Sequence, residues 1–109
     1  MNSNESMSFN EYQNAAMGFR LETATPIYAL LNLAAEAGEV AGLAAKAVRD
    51  GHPFDYQQKI KKELGDVLWQ VAAVAMDNGF TLQDIADSNI AKLSARKENN
   101  TIQGSGDNR

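Results

Sequence analysis

The sequence contains no cysteine, and its 109 residues include only one histidine and two prolines. Without thiols, the chain cannot form a disulfide scaffold, a thiolate zinc site, an iron–sulfur cluster or a cysteine nucleophile. A single histidine likewise excludes any site that requires two imidazoles. The length predicts one domain.

Positive charge and long apolar runs are also scarce. Lys and Arg number 10 against 14 Asp and Glu, and the resulting net charge of −4 argues against non-specific nucleic-acid binding. No run approaches the roughly 18 consecutive apolar residues of a membrane span, and the first residues are polar, so we expect neither a span nor a signal peptide. The sequence therefore predicts a cytoplasmic protein without a nucleic-acid or membrane partner.

Alanine is abundant, supplying 17 of the apolar residues in a chain that is 44% hydrophobic. That apolar share is ordinary for a globular protein. Because alanine fills a core poorly and a lone domain of this size is only marginally stable, we expect the chain to form a homodimer or homotetramer.

Apolar residues recur at helical spacing, and alternating strand patterns are absent, so the fold class is predicted to be all-α. Local signals mark the helix ends: a Ser8/Glu11 capping box, Pro26 in a first turn, and Gly79 as a left-handed stop. The predicted helices run from Ser8 to about Leu21, from after Thr25 to about Arg49, from Asp55 to about Asn78, and from Thr81 to about Glu98.

The short connection between the two long middle helices predicts that they lie antiparallel at the centre of a four-helix bundle. Residues 1–98 are predicted to form the single domain. Residues 99–109 are polar and contain Gly and Ser, so this tail is predicted to be disordered.

Two acidic pairs lie beside the predicted apolar faces of the middle helices. Glu36 and Glu39 are spaced i, i+3 on one helix, and Glu63 and Asp66 repeat this spacing on the next. Antiparallel packing would bring the pairs to one place. The predicted apolar faces consist of Leu30, Leu33, Ala37, Val40, Ala44, Ala47 and Val48 on the first helix and Ile60, Leu64, Val67, Val71 and Val74 on the second.

Four converging carboxylates beside an apolar core must either protonate or bind a cation, because they repel one another and lose hydration. Oxygen ligands with no His or Cys nearby favour Mg²⁺ or Mn²⁺ over zinc. A single acidic pair on a helix is ordinarily just a solvated face. The matched placement of two pairs is what indicates a metal site.

These residues resemble the signature of the MazG-like superfamily of all-α nucleoside triphosphate pyrophosphohydrolases. The pattern Glu36-x-x-Glu39, then after 23 residues Glu63-x-x-Asp66, lies in the segments AAEAGEVAGLAAKAV and KKELGDVLWQVAAVA, which are similar to the family's two motif helices. The resemblance extends from about Phe9 to Lys97. One departure is Ala35, where many members carry a further Glu.

The resemblance implies a (d)NTP pyrophosphohydrolase that releases the monophosphate and pyrophosphate. Mg²⁺ held by Glu36, Glu39, Glu63 and Asp66 would bind the phosphates and activate water, and one of these carboxylates would serve as general base. On the following helix, three residues match the family's polar and basic pattern and are implied to bind substrate: Asn89, Lys92 and Arg96. Lys46 is a weaker candidate for contacting phosphate.

Other interpretations remain open at this point. Lys92 and Arg96 are equally well explained as cations near a helix C-terminus. A phosphoribosyl-ATP pyrophosphohydrolase-like activity would share the metal site, whereas a non-catalytic helical interaction or regulatory module would need no metal. Trp69 lies away from the predicted apolar face, which favours a subunit interface over a base-stacking position.

Overall fold

A computed structural model describes residues 6–107 of the chain, and within that range it contains four α-helices and no strand. The all-α fold class is therefore confirmed. The helices are α1 (Phe9–Met17), α2 (Pro26–Asp50), α3 (Tyr56–Asp77) and α4 (Leu82–Glu98).

Most helix ends follow from the capping signals. Ser8 with Glu11 forms the expected capping box at α1, and Thr81 with Asp84 forms a second one at α4. Gly79 adopts a positive φ of 79° directly after α3, as expected of a left-handed stop. Two details differ. Asp55 makes no capping hydrogen bond at α3, and α1 ends before Gly18, where the chain tightens into i→i+3 bonds.

The long helices α2 and α3 pack along one another, and the chain reverses between them over residues 51–55. The two helices contact each other at three places, and the contacting residues come in increasing order along α2 and in decreasing order along α3. The N-terminal end of α2 lies beside the C-terminal end of α3, Glu36 lies beside Glu63 and Asp66, and Leu43 and Lys46 lie beside Tyr56 and Lys59.

The contact face of α2 agrees with the predicted face only in part: Leu33, Val40 and Ala47 lie in it as predicted, whereas residues at the edge of the predicted face do not. Shielded residues recur at alternating spacings of three and four on both helices, which is the pattern of two helices packed along their length. This seam places Glu36 and Glu63 in the contact face itself rather than beside it. Val48 (90% exposed), Leu30 and Leu64 were predicted to face the partner helix, but they point outward. The seam consists of Ala29, Leu33, Glu36, Val40, Leu43 and Ala47 on α2 and Ile60, Glu63, Val67, Gln70 and Val74 on α3.

The other side of α3 carries α1 and α4. Its buried residues are small, with Ala72, Ala73 and Ala75 almost completely covered. Gln13 of α1 is buried and donates through Nε2 to the carbonyl oxygen of Ala72, while its Oε1 accepts from the backbone N–H of Leu82. A single side chain thus joins α1, α3 and the start of α4.

Trp69 also contributes to this packing. Its indole Nε1 donates to the carbonyl oxygen of Ala16 at 3.0 Å, which holds the half-buried ring against α1 of the same chain. The side of α3 opposite its seam with α2 is therefore an internal contact. The hydrogen bond gives Trp69 a structural role that does not require a second subunit.

The face of α2 that points away from α3 is apolar and uncovered. Leu31 is 68% exposed and Val48 90%. Among the described residues, α2 is the one helix that is long enough and apolar enough (mean hydropathy 1.2 over 18 residues) to cross a membrane. Core helices of soluble proteins also meet these two criteria. The uncovered residues are Ile27, Leu31, Ala34, Ala35, Gly38, Ala41, Ala45 and Val48.

Candidate metal centre

Three of the four predicted ligands meet at the middle of the α2–α3 seam. Glu36, Glu63 and Asp66 each present a carboxylate oxygen, and the three oxygens all lie within 4.8 Å of one another. Glu36 and Glu63 are half-buried, whereas Asp66 is exposed, so the cluster opens to solvent on one side. The arrangement follows from two i, i+3 pairs on antiparallel helices.

Glu39, the fourth predicted ligand, lies outside this group of three. It sits one turn along α2 from Glu36 and is exposed. Its charge nevertheless acts on the cluster, since it contributes to the pKa of Glu36. The structure therefore separates a tight set of three oxygens from one nearby carboxylate that remains accessible to water.

The environment of Glu36 disfavours its charge. Partial burial raises the pKa of its carboxyl above the ordinary value, and the negative charges of Asp66, Glu63 and Glu39 raise it further. Tyr12 of α1 is close enough to respond to the same field: burial and the charge of Asp66 raise the pKa of its hydroxyl.

Within residues 6–107, no Lys or Arg side chain forms an ion pair with any of the four carboxylates. The cluster thus concentrates negative charge that no ion pair of the described residues neutralises. Closely spaced oxygen ligands of this kind suit a hard divalent cation, and the absence of sulfur or imidazole in the group disfavours zinc. The donor set fits the metal predicted from the sequence.

The predicted substrate-binding residues of α4 form a separate feature. Asn89 and Lys92 line a pocket with Phe80, Asp84, Ile85 and Ser88, on a face of α4 that packs on no other helix. Arg96 lies one turn beyond Lys92 and is buried, at 6% exposure. No contact joins these residues to the carboxylate cluster within the described chain.

Lys46, the remaining candidate, lies at the loop end of the seam. It lines a second pocket with His52, Tyr56 and Lys59, two helical turns along α2 from Glu39. His52 contacts Tyr56 edge to face, with ring centroids 4.4 Å apart. Lys46 is exposed and therefore lies beside the loop end of the seam, two turns away from the carboxylates.

Two features of the site were not anticipated from the sequence. Gln70, one turn along α3 from Asp66, is buried, and its Oε1 has no hydrogen-bond partner among the residues that the structure describes. Asp107 binds both Lys92 and Arg96, although it lies in the tail that was predicted to be disordered. Sequence spacing gives no signal for either, because one depends on tertiary packing and the other on a chain reversal after α4.

The geometry defines an all-α protein with a carboxylate centre between two long helices. Comparison with known proteins gives the family: residues 24–101 match the MazG nucleotide pyrophosphohydrolase domain. The chain therefore belongs to the MazG family. It is also 40% identical over 85 residues to the "Gene 37 protein" of Mycobacterium phage L5, and the match covers 75% of each chain. No solved structure gives a significant match.

The matched region contains both acidic pairs and the candidate residues of α4. The domain boundaries predicted from sequence, residues 1–98 with a tail over 99–109, stay a prediction, and residues 1–5 and 108–109 lie outside those described. Ala35, the position at which the sequence departs from the motif it resembles, is exposed on the outer side of α2. A carboxylate at that position would not belong to the group of three.

Proposed function

We propose that this protein is a Mg²⁺-dependent nucleotide pyrophosphohydrolase that converts a (d)NTP into the (d)NMP and pyrophosphate. The observation that carries the proposal is the convergence of Glu36, Glu63 and Asp66, with which no Lys or Arg among residues 6–107 forms an ion pair. Membership of the MazG family supports the reaction class.

In this proposal Glu36, Glu63 and Asp66 hold the metal, and Glu39 lies at its margin as a fourth ligand or as a base. The bound Mg²⁺, or Mn²⁺ in its place, would neutralise phosphate oxygens and lower the pKa of water. The half-buried carboxylates are fixed by the helix seam, which supplies the preorganisation that such a site requires.

The accessible carboxylate of Glu39 is the best placed of the four to accept a proton from the attacking water. It is exposed and lies outside the three-oxygen group, so it need not be occupied as a ligand. The water oxygen bonds to the α phosphorus as the bond from that phosphorus to the oxygen bridging the α and β phosphates breaks. The bridging oxygen leaves with pyrophosphate, and the proton passes to the carboxylate.

Substrate phosphates carry charge that the acidic cluster alone would repel. Lys92 and Arg96, one turn apart on α4, are proposed to bind them together with Asn89, and Lys46 is a further candidate. These α4 residues make no contact with the cluster of their own chain. For these residues to bind the phosphates, the substrate must extend from the cluster to α4, or a second copy of the chain must place its α4 beside the cluster.

A second copy is also what the exposed apolar surface favours. The accessible surface is 8179 Å², against about 5,900 Å² expected for a compact monomer of this mass. A broad apolar face of a helix is normally covered by another element or by a second chain. We therefore propose a homodimer or homotetramer in which a second α2 covers the outer face around Leu31, and we propose that it works in the cytoplasm.

The proposal is tested by measuring pyrophosphate release from a panel of NTPs and dNTPs, in Mg²⁺ and again in EDTA. We expect metal-dependent release from wild type and none from Glu63→Gln. Glu98→Gln is the matched control, because it removes an exposed glutamate of α4 that forms no ion pair within the described part of the chain. Turnover in EDTA, or full activity of Glu63→Gln, would contradict the assignment.

Phosphoribosyl-ATP added to the panel tests the related activity that would share this metal site. The non-catalytic interpretation makes the opposite prediction. If the bundle served only in interaction or regulation, Mg²⁺ would leave the melting temperature unchanged, and all four carboxylates would tolerate replacement by Gln or Asn.

A further inference from the structure

The C-terminal segment returns to α4 and ends on the two cations proposed to bind phosphate. Asn100 adopts a positive φ of 58°, and the backbone N–H of Thr101 donates to the carbonyl oxygen of Arg96 at 2.8 Å. A turn follows, closed by a bond from the Gly104 N–H to the Thr101 carbonyl, and Gly106 has a second positive φ of 79°. These reversals bring Asp107 beside α4.

One oxygen of Asp107 is shared between both cations. Its Oδ1 accepts from Lys92 Nζ at 3.0 Å and from an amino group of Arg96 at 3.2 Å. The same Arg96 amino group donates to the carbonyl oxygen of Gly106 at 3.3 Å. An anionic oxygen held between a lysine and an arginine is the arrangement in which these residues would hold a phosphate oxygen.

Arg96, which contacts this segment, is almost completely covered. Arg96 is only 6% exposed although it lies near the end of α4, and its Nε is buried without a hydrogen-bond partner among residues 6–107. The guanidinium is therefore covered but incompletely satisfied. A ligand with several anionic oxygens could use donors that a single carboxylate oxygen leaves unused.

We propose that residues 100–107 form an autoinhibitory strap in which the Asp107 carboxylate occupies the phosphate-binding position of Lys92 and Arg96. The inference rests on the proposed function of these two cations. Substrate must displace the strap, so its apparent affinity is reduced by the fraction of molecules in which the strap is closed.

The contacts indicate a strap that opens readily. Asp107 is 81% exposed, so its ion pairs are weak and sensitive to salt. The two cations lower the pKa of the Asp107 carboxyl, mainly through the hydrogen bond from Lys92, so it is charged at neutral pH. Ile102 is the one large apolar residue of the segment, and it is half exposed. A polyphosphate, with more charge and more oxygens, should compete effectively.

The test is Asp107→Asn in the full-length chain, with Glu98→Gln as the control for loss of one negative charge near the same end of α4. We expect Asp107→Asn to lower KM for the nucleotide by about two- to fivefold, with kcat unchanged and with no such effect in the control. The ratio of the wild-type and variant KM values should approach one at high salt, where the ion pairs are screened.

Binding of inorganic tripolyphosphate in EDTA, measured by calorimetry, separates this inference from the proposed function. If nucleotides are hydrolysed but Asp107→Asn leaves both KM and the tripolyphosphate Kd unchanged, the strap is refuted and the enzyme assignment stands. If no nucleotide is hydrolysed but the variant binds tripolyphosphate more tightly than wild type, the strap stands and the assignment fails. Absence of tripolyphosphate binding to either protein refutes the strap as well.

Discussion

Glu36 and Asp66 lie thirty positions apart in sequence, yet their carboxylate oxygens approach within 4.8 Å across the α2–α3 seam. Two like charges at this separation are tolerated in a partly buried place only if a proton or a cation compensates them. The relationship explains why the site should be sensitive to metal, to pH and to substitution.

The first prediction concerns catalysis. Asp66→Asn is expected to reduce pyrophosphate release by at least about a hundredfold, because the neutral amide leaves only two charged oxygens in the group. Asp66 is exposed, so the fold should tolerate the change, and circular dichroism should show unchanged helicity. Asp87→Asn, which alters an exposed carboxylate of α4 away from the cluster, provides the control and should keep full activity.

The second prediction concerns metal binding in the absence of substrate. Mg²⁺ should raise the melting temperature of the wild-type protein, since a ligand that binds only the folded state stabilises it by mass action. The increase should grow with Mg²⁺ concentration and disappear in Glu36→Gln. An equal increase in the variant would show that Mg²⁺ acts elsewhere on the protein.

The third prediction follows from the raised pKa of Glu36. In EDTA the folded protein holds a proton on Glu36 at pH values where the unfolded chain has already released it. The free energy of unfolding should therefore fall as pH rises from the ordinary glutamate pKa through the raised one. The Glu36→Gln variant has no carboxyl proton to release at this position, so its free energy of unfolding should not show this dependence on pH.

The melting temperatures of Glu36→Gln and wild type are measured in EDTA from about pH 4 upward, and the wild-type value is subtracted from that of the variant. The series begins at about pH 4 because this is close to the ordinary glutamate pKa. The difference should increase with pH in favour of the variant and then level off. Saturating Mg²⁺ should reverse its sign, because only the wild type keeps the complete ligand set. A difference that is independent of pH would contradict the electrostatic account of the cluster.

Much of this architecture could be predicted from the sequence. Capping residues such as Ser8 and Thr81 act locally, so the helix starts were predictable, and the paired i, i+3 spacing predicted that Glu36 would meet Glu63 and Asp66. The predicted contact face of α2 was right at Leu33, Val40 and Ala47 and wrong at its edge, where Val48 is exposed. On a helix whose alanines make nearly every face apolar, periodicity cannot select which stripe the neighbouring helix covers.

Contacts between residues far apart in the chain could not be predicted from the sequence either. Nothing in the spacing of Gln13 shows that its amide joins three helices, and nothing in a polar tail shows that Asp107 returns to Lys92. Such contacts depend on the relative position of packed elements. Local propensities do not encode that position.

The fourth prediction addresses the uncovered face of α2. Leu31→Glu is expected to shift the protein towards monomer, since it would place a charge in the contact with a second copy at a residue that is 68% exposed in one chain. Multi-angle light scattering after size exclusion measures the mass directly. Gln57→Glu, at an exposed polar position of α3, is the control and should leave the mass unchanged.

The last prediction concerns the amide that attaches α4 to the bundle. Gln13→Ala should lower the free energy of unfolding by about 2–4 kcal/mol, because it leaves the buried Leu82 N–H without its acceptor and removes the bond to the Ala72 carbonyl. Chemical denaturation measures the loss, and Asn14→Ala, at the exposed neighbouring position, should change stability by less than about 1 kcal/mol. Since Gln13 does not touch the carboxylates, the Mg²⁺-induced increase in melting temperature should survive in Gln13→Ala. Loss of that increase would mean that the cluster depends on how α1 and α4 are attached, and not on the α2–α3 seam alone.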